Sequence, residues 1–203
     1  MRSTSDTTFT EQARRAQIVT GAATVIAEIG YAQTSVAKIA DHVGIAKSVV
    51  LYHFKTKDDI IAAVIAEVFG AAATHMLPAL IAAETPSDRL GAYIRSNIAF
   101  IDGNRVAAIA MLEIVTGYRS SAGRRLDQVA EPSDDNPLDP EAIFAEGVAS
   151  RDFRPLSPTF MKNALRAALD GAVWELARNP EYDVVGYGEE LVTTFHLATR
   201  RPR

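Results

Sequence analysis

At 203 residues and 21.9 kDa, with 48% hydrophobic and 23% charged residues, the chain has the make-up of one large or two small globular domains, which excludes collagen-like, disordered and coiled-coil classes. It holds no cysteine, so disulfide frameworks, thiolate zinc sites and thiol catalysis fall together, a usage that fits an intracellular address. A formal charge of −4 and a pI near 5.6 argue, taken globally, against a nucleic-acid partner, which leaves a basic footprint.

The polar, Ser/Thr-rich residues 1–9 read as a flexible tail without the apolar run of a secretory leader. Thr8 and Glu11 have capping-box spacing, so the first helix is expected to start there, to run along Ile18, Ala22, Ile26 and Ile29, and to stop at Gly30. Thr34 is the expected N-cap of a second helix whose buried stripe is Val36, Ile39, Ala40 and Val43, with Gly44 as its end. Residues 45–54 are too few for a free-standing helix and must dock through Val50 and Phe54, one turn apart. Thr56 and Asp59 cap a long helix carried by Ile60, Val64 and Val68, expected to break at Pro78. Its stretch from Ile60 to Ala83 is the most membrane-like of the chain. Glu67, His75 and Pro78 lie in it and Ala and Gly dominate, so a buried helix is expected rather than a span, and no membrane partner.

Further helix starts are marked by Ser87 with Asp88, Asn104, Asp139 with Pro140, Ser157 with Pro158, and Asp183. Leu90, Ile94, Ile98 and Ile101 form one helical stripe; Leu165, Leu169, Val173 and Leu176 form another. Residues 131–140, rich in Pro and acids, read as a loop. No strand pattern occurs. The fold class is therefore all-α, with nine or ten helices: an N-terminal three-helix domain over residues 10–57 and a second helical domain over 58–203.

Residues 34–60 run helix, Gly-containing turn, short helix and the start of a third, which is the helix-turn-helix layout. The sequence here resembles the tetracycline-repressor (TetR) family of transcriptional regulators. Gly44, the triplet Tyr52, His53 and Phe54, and the run Lys57, Asp58, Asp59 and Ile60 carry that resemblance, which is specific over about residues 10–65. Two positions depart from the family pattern. Ala46 stands where Ser or Thr often caps the recognition helix, which weakens the cap by about 1 kcal/mol, and Leu51 stands where an aromatic is frequent.

Sorted by position, the charge tells a different story from its total. Through Lys57 there are seven basic residues (Arg2, Arg14, Arg15, Lys38, Lys47, Lys55 and Lys57) against four acids (Asp6, Glu11, Glu28 and Asp41), a balance of +3, and the rest carries −7. A basic end on an acidic body is the asymmetry of a chain in which one small domain meets phosphate.

On the short helix, Lys47, Ser48 and Leu51 lie opposite Val50, with Val49 at the edge. Lys47 and Ser48 are the expected readers of base edges, and Val49 or Leu51 suits a thymine methyl. The resemblance implies phosphate contacts for Thr34, Ser35, Tyr52, His53 and Lys57. Two bland readings stay open: His53 as a turn histidine bonded to backbone, and Lys55 as a solvated charge. His75 and His196 are read as structural.

One such module buries too little surface for tight specific binding, so a two-fold homodimer on a palindromic double-stranded operator is expected. The resemblance implies pairing through the last two long helices, about 158–178 and 183–199, which the Leu165 stripe supports although an intrachain core needs the same stripe. It also implies a largely apolar small-molecule effector among the middle helices. Met76, Phe100, Met111, Tyr118 and Trp174 have the size and adaptability for such a cavity and equally for ordinary core. Glu113 is either a ligand carboxylate in the cavity or an exposed or interface residue. The mechanism implied is repression, relieved when effector moves the long helix at 56–77; activation by the same fold and a ligand-binding protein with a degenerate DNA-binding domain are the alternatives. No enzyme signature can be placed, no cofactor or metal is expected, and a cytoplasmic location follows.

Overall fold

A computed structural model describes residues 4–119 and 138–201, with side chains from Phe9 onward. The described residues form nine helices and no strand: α1 (Thr4–Ile29), α2 (Val36–Val43), α3 (Lys47–His53), α4 (Lys57–Ala82), α5 (Pro86–Gly103), α6 (Arg105–Gly117), α7 (Pro140–Ala149), α8 (Pro158–Arg178) and α9 (Val184–Thr199). The loop expected at 131–140 lies outside the described residues except for its last three.

Two compact units result. The first contains residues 4–69 and 106–119; the second contains 70–105 and 138–201. This division differs from a boundary at residue 57, and the reason is packing. Ile60, Ile61 and Val64 of α4 and Ala110 and Ile114 of α6 are buried in one core with Ile18, Ala22 and Ile26 of α1, Ile39 of α2, and Val50 and Phe54. The three N-terminal helices alone leave that core unfinished.

Several local expectations are corrected. α1 begins at Thr4, ahead of Thr8, so most of the expected tail is helix: no breaker stands between Ser5 and Glu11 to stop the helix extending. Ser35, not Thr34, caps α2, its side chain accepting the Lys38 N–H at 3.3 Å. Thr34 belongs to the preceding turn, closed by its N–H on the Tyr31 carbonyl. Thr85 rather than Ser87 caps α5, with Pro86 at the first helical position. Pro78 sits inside α4 without ending it, because Met76 and Leu80 on either side are buried and hold the last turn in place. The Gly44 stop, the Thr56–Asp59 capping box, and the caps at Asp139, Ser157 and Asp183 stand as expected.

α4 also departs from the expected buried helix. It is, among the described residues, the one helix long and apolar enough to cross a membrane, and only 28% of its most apolar window is buried. In the second unit, α5 packs against α7 and α9, α7 against α8, and α8 against α9. Leu165, Leu169, Val173 and Leu176 are all buried there, so that stripe is spent on the chain's own core.

Candidate nucleic-acid interface

The first unit presents α3 in a definite orientation. Val50 and Phe54 are 0% and 2% exposed and anchor it to α1, α2 and α4. The α2–α3 turn is set by Gly44, whose φ of 73° lies in the left-handed region, and closed by N–H bonds from Gly44 to Asp41 and from Ile45 to Ala40. What remains on the outside of α3 is Lys47, Ser48, Leu51 and Tyr52, all exposed, with Val49 and His53 half-buried. A short helix held on an apolar anchor, with Lys47, Ser48, Leu51 and Tyr52 on its outer face, has the size and exposed side chains to enter a major groove.

Both ends of α3 carry information. At its N-terminus Ala46 has the extended backbone of a capping residue (φ −66°, ψ 141°) but offers no side-chain acceptor, as its identity predicts. At its C-terminus Arg15, from α1, donates to the His53 carbonyl while its guanidinium lies 4.1 Å from the centre of the Phe54 ring. Arg15 is not legible from the sequence, because its partners His53 and Phe54 lie 38 or more residues further along the chain. Tyr52 is 74% exposed, its ring edge-on to His53 and its hydroxyl 3.4 Å from a Glu11 carboxylate oxygen.

The residues expected at phosphates divide into two groups. Ser35, Tyr52 and His53 are exposed or half-buried at the edge of the α2–α3 surface. Thr34 and Lys57 are engaged inside the unit. Thr34 is 4% exposed and its hydroxyl donates to the Gly30 carbonyl at 2.8 Å. The Lys57 ammonium donates to the Tyr31 carbonyl at 2.8 Å and stands 4.0 Å over the Tyr31 ring. Burial pushes the Lys57 pKa down, partly offset by Asp58, and burial likewise raises that of the Tyr31 phenol, with Asp58 and Tyr118 adding to the rise.

The six residues expected at an effector cavity are not gathered in one unit. Met111, Glu113 and Tyr118 belong to the first unit, where Met111 and Tyr118 pack against its core and Glu113 accepts the Tyr31 N–H at 3.3 Å. Met76 and Phe100 are buried in the second unit, Met76 beside the Asn97 amide and Phe100 beside His75. Trp174 is 41% exposed on the outer face of α8. An open groove of about 540 Å³ in the second unit is lined by Ala79, Ala82, Ala83, Ala92, Arg95 and Ser96 among others, and by none of the six. Among the described residues no three acidic or histidine side chains cluster as a metal site would need.

Residues 18–64 match the family model of the bacterial regulatory proteins, tetR family. The fatty acid metabolism regulator protein of Bacillus subtilis (strain 168) is 31% identical over 99 residues, which are 48% of this chain and 51% of that protein, so the chain matches about half the length of its curated relative. Two solved structures share the fold over nearly the whole chain. One is the transcriptional regulator FadR from Bacillus subtilis in complex with stearoyl-CoA, with a TM-score of 0.70 and 21% identity over 91% of this chain and 99% of that one. The other is AibR in complex with isovaleryl coenzyme A and operator DNA, with a TM-score of 0.72 and 19% identity over 89% and 97%.

Proposed function

We infer, from a chain whose residues 18–64 match the family model of the bacterial regulatory proteins, tetR family, a transcriptional regulator that binds operator DNA and responds to a small molecule. The observation that carries this reading is the exposed face of α3, where Lys47, Ser48 and Leu51 stand over the buried anchors Val50 and Phe54. Lys47 and Ser48 reach base edges, Val49 or Leu51 meets a thymine methyl, and Ser35, Tyr52 and His53 fix register on phosphates. Operator binding by a two-fold dimer, repression in the absence of effector and action in the cytoplasm complete the reading.

Dimerisation is assigned to the outer faces of α8 and α9. With the Leu165 stripe buried at home, the apolar surface left on these helices is Phe160, Trp174, Val185 and Leu197. Aromatic residues held half in solvent on a helix face suit a self-complementary interface. The effector is assigned to the acyl-coenzyme A class, supported by the relatives: one is named for fatty acid metabolism, and two solved neighbours hold stearoyl-CoA and isovaleryl-CoA.

The test is a fluorescence anisotropy titration of the full chain on duplex DNA from the region flanking its own gene, at several salt concentrations. A sequence-specific, salt-sensitive complex below micromolar that long-chain acyl-CoA dissociates is the expected result. Binding no tighter than to random DNA would sink the reading. Dissociation by neither a short- nor a long-chain acyl-CoA removes the effector assignment alone.

A further inference from the structure

The α1–α2 turn, residues 30–35, is held from two sides by side chains of other elements. Its Tyr31 N–H donates to the Glu113 carboxylate of α6 at 3.3 Å, and its Tyr31 carbonyl accepts from Lys57 at the start of α4 at 2.8 Å. The Tyr31 ring lies under the Lys57 ammonium and packs against Tyr118, their centres 5.9 Å apart. Contact is close on both sides. A Cβ built on Gly117 would come within 3.1 Å of the Tyr31 ring, and one on Gly30, whose φ of +80° already disfavours a side chain, within 3.1 Å of a Glu113 oxygen. The backbone of Tyr31 is thus bracketed, a carboxylate at its N–H and an ammonium at its carbonyl, both bonds part-buried over a buried Tyr31 side chain.

Ser35, which caps α2, follows directly. From there α2 passes through the three-residue turn Gly44, Ile45 and Ala46, closed by backbone bonds, into α3, so the position of the 30–35 turn sets where the helix pair stands. Glu113 and Tyr118 are therefore poorly placed to serve as ligand groups and well placed to act on the reading head.

We propose that Glu113 of α6 and Tyr118, the first residue after that helix, are positioning residues for DNA recognition: together with Lys57 they lock the α1–α2 turn at Tyr31 and so fix the presentation of α2 and α3. This rests on the DNA-binding reading above. It assigns to α6 a direct hold on the helix-turn-helix, so that a shift of α6 is felt at α2 without passing along α4.

The experiment uses the full-length chain and a labelled duplex from the DNA flanking its own gene. Glu113→Ala is expected to bind about tenfold more weakly, the effect of one lost charge-assisted bond. The slope of log affinity against log salt stays at the wild-type value, because Glu113 meets no phosphate. Glu113→Gln restores most of the affinity, since its amide oxygen still accepts from Tyr31. Wild-type affinity in the Ala variant, or a Gln variant as weak as the Ala one, overturns the proposal. If circular dichroism shows the Ala variant unfolded, Tyr118→Leu takes its place: weaker binding at unchanged salt slope is expected, and wild-type affinity overturns the proposal. Failure of the unaltered chain to bind any flanking DNA overturns the functional reading, and this proposal with it; normal binding by every variant overturns this proposal alone.

Discussion

Lys47 opens α3 and Lys57 opens α4, and their surroundings give them different work. The Lys47 side chain is exposed at the first turn of α3, whereas the Lys57 ammonium is tied to the Tyr31 carbonyl and lies over its ring. Replacing Lys47 by Ala should cost about 1–3 kcal/mol on the operator and relax preference at one base pair, which a titration against a panel of single-base operator variants would show. Lys57→Met keeps the stem over Tyr31 and removes the ammonium. It should weaken binding while leaving the salt slope intact; a slope reduced by about 1 would instead mark Lys57 as a phosphate ligand. The sequence gives both lysines to DNA, Lys47 to a base edge and Lys57 to a phosphate, and holds no sign that Lys57 is tied up within its own chain. Residue type and position in a motif are local information, whereas the carbonyl that occupies Lys57 belongs to a turn on the far side of α2.

α3 shows what was legible and what was not at the level of an element. Its anchors Val50 and Phe54 and its Gly44 entrance follow from short-range spacing, its uncapped start at Ala46 from comparison with the family pattern, and all are found. The Arg15 closure of its C-terminus follows from no spacing at all. Ala46 already has capping geometry, so Ala46→Ser should stabilise by about 1 kcal/mol and raise the thermal midpoint by about 2–4 °C, read by scanning calorimetry. α8 was ambiguous for a different reason. A helix expected to serve both its own core and an interface with a second copy needs apolar residues on two faces, and periodicity alone cannot say which face goes where. Burial resolves it: Leu165, Leu169, Val173 and Leu176 turn inward, leaving Phe160 and Trp174 outside.

For the molecule as a whole, the acidic total of −4 conceals a basic N-terminal end, the end that carries α3. The assembly is tested at Trp174. Trp174→Glu introduces a carboxylate one turn from Asp170 on the face assigned to the dimer, and because Trp174 is 41% exposed the fold itself should survive. Analytical ultracentrifugation should find monomers with unchanged helicity and far weaker operator binding; a dimer of wild-type strength would move the interface elsewhere.

The participation of α6 in the first unit also bears on how the protein is made. Ala110 and Ile114 fill the same core as Ile18, Ile39 and Val50, so the reading head is sequence-discontinuous and its contacts span half the polypeptide. A ribosome that has released residues 1–69 has released all of the helix-turn-helix and still not a finished domain. The nascent head waits for α6 with apolar surface open, which is when a chain of this kind is most exposed to chaperones and to its neighbours. For the same reason a graft of this head onto another regulator must carry two separate segments, with α6 included.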